Sequence, residues 1–343
     1  MLYESKDGPQ AVQVSKIIMT SQNPHHVSQH ILITGATGFV GRHLSKVLVE
    51  KGAKVTALAR RPDQDLPKEV KVHLIESLTA PTNWQETLKD IDTVIHLAAI
   101  TQSSKHPTTT EKEELHKVNC EATLHLANAA AAAGVKRFIF LSSVKVLGEK
   151  SEAPLSETSP PAPEDDYARS KWAAEQGIKE TVKGPMQWVI IRPPLLYGPR
   201  VSGNFNKLIR LVTSGLPLPF RQVNNKRSLC SLENLADFIT LCTHHPAAAN
   251  QTFLVADKES PSTPDLMRLI GQASGRPVRL WSVPPSVLKI LGHISGQKAL
   301  IGRLLDNLEV SCHKAQEQLK WEAKQSTANG IEGLIKQSQS PSP

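Results

Sequence analysis

From residue 30 onward the chain alternates short, mostly apolar runs with longer helical stretches. The short runs are His30-Ile-Leu-Ile-Thr34, Lys54-Val-Thr-Ala-Leu58, Val70-Lys-Val-His-Leu-Ile75, Thr93-Val-Ile-His-Leu97, Arg137-Phe-Ile-Phe-Leu-Ser142 and Trp188-Val-Ile-Ile-Arg192. Runs of largely continuous apolar character, alternating with helices, predict strands buried on both faces, as in a parallel sheet covered by helices. Helices are expected up to Val49, around Trp84–Leu88, from about Glu113 to Ala133, and from Tyr167 to about Val182. Strand and helix in turn imply an α/β fold. After Pro193-Pro194 proline and glycine become frequent, which suggests a smaller second domain closing over the first.

Composition narrows the class. The 343 residues, 39% hydrophobic and 21% charged, suit one large domain or two that share a core. No stretch reaches the roughly 18 apolar residues of a membrane span. The first thirty residues lack a signal-peptide core and read as a mobile leader, with Met19 as an alternative start; Gln337–Pro343 read as a polar tail. Cys120, Cys230, Cys242 and Cys312 have no paired spacing, so neither a metal site nor a disulfide framework is expected, and a cytoplasmic setting fits. Net charge is +8, but the basic residues are scattered and aromatics make up only 4%, which argues against nucleic acid and for an anionic small molecule.

Two local patterns carry chemistry. Thr34-Gly35-Ala-Thr37-Gly38-Phe39-Val40-Gly41 joins the first strand to the first helix, where glycines let the backbone approach a pyrophosphate at the helix N-terminus. The second strand ends in Ala59-Arg60-Arg61-Pro62. Arginine there suits the 2′-phosphate of NADP, whereas an acid would suit NAD. The alternative is a basic surface loop, with Asp63 close by.

The second pattern is Asp166-Tyr167-Ala-Arg-Ser-Lys171, which sets a phenol and an ammonium four residues apart on one helix face. An ammonium about 4 Å away is worth about 4 kcal/mol at an effective dielectric near 20, enough to bring a tyrosine toward neutral pH. Ser143, ending the fifth strand, is placed to donate to a carbonyl oxygen. Asn119, on the long helix before it, is placed to bridge through water to Lys171.

With these residues the chain resembles the extended short-chain dehydrogenase/reductases, in their nucleotide-sugar epimerase, dehydratase and reductase branch. The resemblance spans about His30–Ile335 and includes His96-Leu97-Ala98-Ala99, Val118-Asn119, Leu141-Ser-Ser143 and Arg192-Pro-Pro-Leu-Leu-Tyr-Gly-Pro199. It implies a Rossmann-like doubly wound sheet over 30–193, binding NADP(H) or NAD(H), and a sugar-nucleotide-binding C-terminal domain over 194–336, interleaved with the first.

By the same resemblance Tyr167 is the acid/base, Ser143 orients the substrate carbonyl, Lys171 holds the nicotinamide ribose and Asn119 completes the tetrad. Gly35, Thr37, Gly38, Phe39, Val40, Gly41, Ser77, Leu78, Leu97, Ala98, Ala99 and Pro193 line the cofactor beside Arg60 and Arg61. Arg227 takes the diphosphate of a UDP-sugar. Asn204 falls where the family contacts phosphate, and Phe220 where it contacts uracil, unless Phe220 is ordinary packing. A homodimer through the Tyr167 helix and the long helix before it is also implied.

Three departures stand out: Val146-Leu-Gly148 where the family often has Val-Tyr-Gly, Glu76-Ser77-Leu78 in place of the adenine-binding acid, and Ala122 in place of a glycine. Lys145 either projects toward the sugar or is a solvated lysine. The segments Ser142–Glu149 and Ile191–Gly198 look most like a narrower group that reduces UDP-4-keto-6-deoxy-N-acetylglucosamine. The expected activity is therefore an NADPH-dependent 4-ketoreductase, with a UDP-hexose 4-epimerase retaining NAD as the alternative and a non-enzymatic dinucleotide sensor behind both.

Overall fold

The computed structural model describes residues 29–101 and 108–339, so the expected leader and the final four residues lie outside it. The first half runs β1 (His30–Thr34), α1 (Phe39–Glu50), β2 (Lys54–Ala59), β3 (Lys71–Leu74), α2 (Trp84–Thr87), β4 (Thr93–His96), α3 (Thr109–His116), α4 (Ala122–Ala132), β5 (Arg137–Leu141), α5 (Asp166–Thr181) and β6 (Gln187–Arg192). The second half runs β7 (Leu195–Tyr197), α6 (Gly203–Thr213), β8 (Leu229–Ser231), α7 (Leu232–His244), β9 (Gln251–Leu254), α8 (Thr263–Ala273), α9 (Pro285–Ile294), α10 (Lys298–Leu305), α11 (His313–Leu319) and α12 (Thr327–Gln339). Gln337, expected in a tail, lies in α12.

Seven strands form one parallel sheet in the order β3-β2-β1-β4-β5-β6-β9. Alternate residues of each strand enter opposite layers, as the two-residue period requires. Ile31, Ile33, Ile95, Ile139 and Ile191 pack with Leu44, Leu48, Leu235, Phe238 and Trp321 under α1 and α7. Leu32, Val94, Phe138, Phe140 and Ile190 pack with Leu126, Ala130, Ala174 and Ile178 under α4 and α5. A third cluster, around Tyr197, Phe205, Phe220, Met267 and Ile331, forms the second lobe. β9 and α7 come from the later half of the chain yet pack into the main sheet.

The expected long helix is in fact α3 and α4 joined by a π-helical turn, Lys117–Glu121. It starts at a capping box in which Thr108 accepts from Glu111 N and Glu111 reaches back to Thr108 N. Asn119 sits inside the π turn, an irregularity frequent at functional sites.

Candidate active site

The chain reverses direction across the sheet between β1 and β4, and ligands of such sheets bind at the carboxyl ends of the strands there. Gly35 turns the chain at φ +69°, and a Cβ on it would lie 2.7 Å from Ala98 N; one on Gly41 would lie 2.2 Å from Gly35 O. Only glycine permits this closeness. Gly38 caps α1 with its backbone, no side chain caps that end, and the first turn holds no acid. The turn therefore suits a pyrophosphate, the fit that a dinucleotide requires.

A buried polar chain fixes the loop. Ala98 N donates to Thr34 Oγ1 (3.2 Å), which lies 2.7 Å from His96 Nδ1; His96 Nε2 lies 2.8 Å from Thr123 Oγ1, which donates to the Asn119 carbonyl (2.9 Å). Both hydroxyls are directed by their outer partners, so His96 accepts at Nδ1 and donates at Nε2. Burial, helped by the Lys171 charge, lowers its pKa to about 3, so the ring is neutral. Leu97, Ala98 and Ala99 follow at the tip of β4, half-buried to exposed. Thr37, Phe39 and Val40 are half-buried at the start of α1.

Across the sheet edge, Ser142 and Ser143 take different tasks. Ser142 Oγ donates to Glu175 Oε1 (2.5 Å) and is buried. Ser143 accepts from Lys145 N (3.2 Å) at the start of a short 3-10 turn. Its hydrogen is thereby left for a carbonyl oxygen. α5 begins where Asp165 caps it, accepting from Ala168 N (2.7 Å). Tyr167 lies in its first turn and is half-buried, while Lys171 and Glu175 follow on one stripe and are fully buried.

The expected tuning of Tyr167 by Lys171 is not what the geometry provides. Burial, and then the Asp165 carboxylate, raise the phenol pKa to about 12. Lys171 Nζ instead donates to the Leu141 carbonyl (2.8 Å), 4.3 Å above the Phe140 ring, and burial lowers its own pKa to about 7 against the pull of Glu175. Tyr167 is thus held as an acid. Asn119 is also engaged differently from expectation: Oδ1 accepts from Ile100 N (2.8 Å), and Nδ2 donates to Ile100 O (2.9 Å) and Ser170 Oγ (3.1 Å). It ties the π turn to α5 directly.

Beneath the centre is a pair that sequence reading passed over. Arg192 Nε and Nη2 donate to both oxygens of Glu175, at 2.5–3.2 Å, with Arg192 2% and Glu175 0% exposed. Glu175 stands four residues beyond Lys171 on the same stripe, a spacing that sequence alone would have displayed.

The residues expected to meet substrate belong to a second charge cluster. Lys145 is not free to reach a sugar: it pairs with Asp165 and with Glu149 Oε1 (2.7 Å). Arg303, which the sequence did not single out, donates to both Glu149 oxygens at 3.1 Å. These bonds hold the Glu149 pKa down to about 2 against its burial. Arg227, half-buried, donates to the Asp306 carbonyl (3.1 Å); its pKa is lowered by burial and supported by Glu149. Arg303 is thus bonded to the Glu149 carboxylate, whose charge also acts on Arg227.

Asn204 is exposed at the start of α6. Phe220 is only 5% exposed within the second-lobe core, so its ring is a packing residue and not an open base platform. Arg60 and Arg61 are exposed at the tip of β2, while Asp63 is bound by Arg42 (3.0 and 2.7 Å). Ser77 Oγ accepts from Ala80 N (2.9 Å), shaping the turn after β3. Leu78 lines a hollow of about 350 Å³ beside Lys117 and Ala122. Pro193 is buried and accepts from Val144 N (2.9 Å), fixing the turn that carries Ser143.

The model of the NAD dependent epimerase/dehydratase family matches residues 31–256. The chain belongs to that family. It is 39% identical over 313 residues to the UDP-glucose 4-epimerase of Vibrio cholerae, covering 88% of this chain and 93% of that protein. It is 26% identical over 282 residues to the N-acetyl-alpha-D-glucosaminyl-diphospho-ditrans,octacis-undecaprenol 4-epimerase of Escherichia coli O157:H7, covering 79% and 82%. The crystal structure of a UDP-glucose 4-epimerase from Thermotoga maritima with UDP-glucose superposes with a TM-score of 0.73, at 21% identity over 91% of this chain and 99% of that one, which shows the shared fold. The protein is an enzyme of the nucleotide-sugar epimerase/dehydratase type. Among the described residues, no helix is long and apolar enough to cross a membrane.

Proposed function

We propose that this family member reduces the C4 ketone of a UDP-4-keto-6-deoxy-hexosamine, a precursor for surface polysaccharide, with NADPH as reductant. One observation carries the choice of cofactor and direction. Arg60 and Arg61 stand exposed at the β2 tip, and the nearby acid, Asp63, is already bound by Arg42. Two arginines without a competing carboxylate favour a 2′-phosphate, worth roughly 1.5–3 kcal/mol for a charge-assisted bond. NADPH is the cofactor of a reductase that exchanges it every turnover.

When bound, the dinucleotide supplies the hydride to C4. The carbonyl π pair moves onto oxygen, and Tyr167 gives that oxygen its proton; a phenol held at about 12 is protonated at neutral pH and ready to do so. Ser143 donates to the same oxygen as charge develops. Tyrosinate regains its proton from solvent. Lys171 and Asn119 hold the catalytic helix against β5 and the π turn. Arg227, with Arg303 beside it, receives the diphosphate, a match of guanidinium forks to phosphate oxygens.

The alternative, a UDP-hexose 4-epimerase, is favoured by the 39% identity to the Vibrio cholerae protein. It needs the same groups and a retained NAD. Incubating the purified protein with UDP-4-keto-6-deoxy-N-acetylglucosamine separates the two. The reductase reading expects one NADPH oxidised per 6-deoxy sugar formed, with NADH much poorer. Interconversion of UDP-glucose and UDP-galactose, or their N-acetyl forms, without added cofactor would overturn it in favour of the epimerase.

A further inference from the structure

The second lobe carries a surface that the reaction does not use. On α9, Leu288 and Gly292 are buried, and a Cβ on Gly292 would lie 2.8 Å from Ile301 of α10, so this stripe faces the neighbouring helix. Val287, Ile290, Leu291 and Ile294 form a second apolar stripe at helical spacing, and it is open to solvent: Ile290 is 59%, Leu291 55% and Ile294 77% exposed. Trp281, 62% exposed, precedes the helix on a segment fixed to Leu218 by backbone bonds of 2.8 Å on either side. Scattered apolar residues on a surface need no explanation, but a contiguous stripe does.

Charge says what covers it. From Leu266 to Leu305 the chain has no Asp or Glu, against Arg268, Arg276, Arg279, Lys289, Lys298 and Arg303. Arg279 and Lys298, exposed on either side of α9, have no carboxylate partner among the described residues. A second copy of this face would set like charges opposite one another. An anionic phospholipid surface complements both features: acyl chains take the apolar stripe, headgroups the cations, and an exposed tryptophan sits at the boundary.

We propose that α9, with α10 and Trp281, docks the enzyme on an anionic bilayer surface without spanning it. The last turn of α10 carries Arg303, which is bonded to Glu149, so the docked face adjoins the cluster proposed to meet substrate. This goes beyond the reaction proposed above and does not depend on which sugar is reduced.

The test is flotation of the full-length protein with phosphatidylcholine vesicles, with or without about 30% phosphatidylglycerol, at low salt. Binding is expected only with phosphatidylglycerol. Trp281→Phe should abolish a blue shift of emission on binding. Ile290→Glu/Ile294→Glu should weaken binding at least about 10-fold. Arg279→Ala and Lys298→Ala should each weaken it about 5-fold and lessen its salt dependence. All should melt like wild type and keep its activity on a soluble substrate. Failure of wild type to float with phosphatidylglycerol vesicles overturns the proposal, as does undiminished binding by the double glutamate variant. So does self-association of wild type, without flotation, that the glutamates abolish; the face would then belong to a second copy.

Discussion

Two charge clusters lie next to Tyr167 and Lys171, built from the same materials and differing in burial. One, the rear cluster, joins Glu175 to Arg192 and Ser142, where none of the three exceeds 3% exposure. The other, the front cluster, joins Glu149 to Lys145 and Arg303 with side chains 21–38% exposed. A buried pair cannot exchange partners, because water is not there to replace either one. A half-exposed pair can. On the proposed reaction, a diphosphate arriving at Arg227 and Arg303 would take over cations that Glu149 now holds, so the first cluster would set geometry and the second would be a reserve of positive charge.

The contrast can be broken experimentally. The largest effect belongs to the proposed acid: Tyr167→Phe should lower kcat by about 10²–10⁴-fold with an unchanged melting curve, and a loss of only a few-fold would remove Tyr167 as the acid. Next, Arg192→Leu strands a buried carboxylate and should cost about 3–5 kcal/mol in denaturant unfolding, while Glu175→Leu/Arg192→Leu should recover most of it. A cost below about 1 kcal/mol would mean that the rear cluster is not a fixed frame.

On the front side, Arg227→Ala should raise the KM for a UDP-sugar about 10–100-fold while kcat changes little, as loss of a charge-assisted bond implies. An effect mainly on kcat would break the assignment. Glu149→Gln should be the mildest for the reaction, changing kcat and KM by no more than a few-fold at neutral pH. Its signature is in acid. The folded pKa of Glu149, about 2, lies below its ordinary 4.5, so its stabilisation is present above 4.5 and fades as pH falls toward 2. Wild type should therefore lose stability more steeply than Glu149→Gln across that window, and parallel curves would show that Glu149 is not paired.

Much of this was legible in the chain. β1 falls on His30–Thr34 as expected, and β2, β4, β5 and β6 within a residue or two, because a strand buried on both faces announces itself by uninterrupted apolar residues. The glycine loop was readable for a similar reason: its three glycines meet a local steric demand at fixed spacing. β9 was not, since Gln251–Leu254 is four residues long and depends on β6, some sixty positions earlier, for its pairing. The π turn at Asn119 was also hidden, as nothing local distinguishes it from a plain helix.

The sequence by itself determined the strands of the first half, the turn that suits a pyrophosphate and the shared face of Tyr167 and Lys171, because these follow from local periodicity and sterics. It did not determine what those side chains do. That Ser142 serves Glu175, whether Lys171 lowers the Tyr167 pKa or buttresses β5, and whether Phe220 meets a base or a core were decided by packing. Burial and partner choice depend on groups distant along the chain, and burial, with the Asp165 carboxylate adding to it, raised Tyr167.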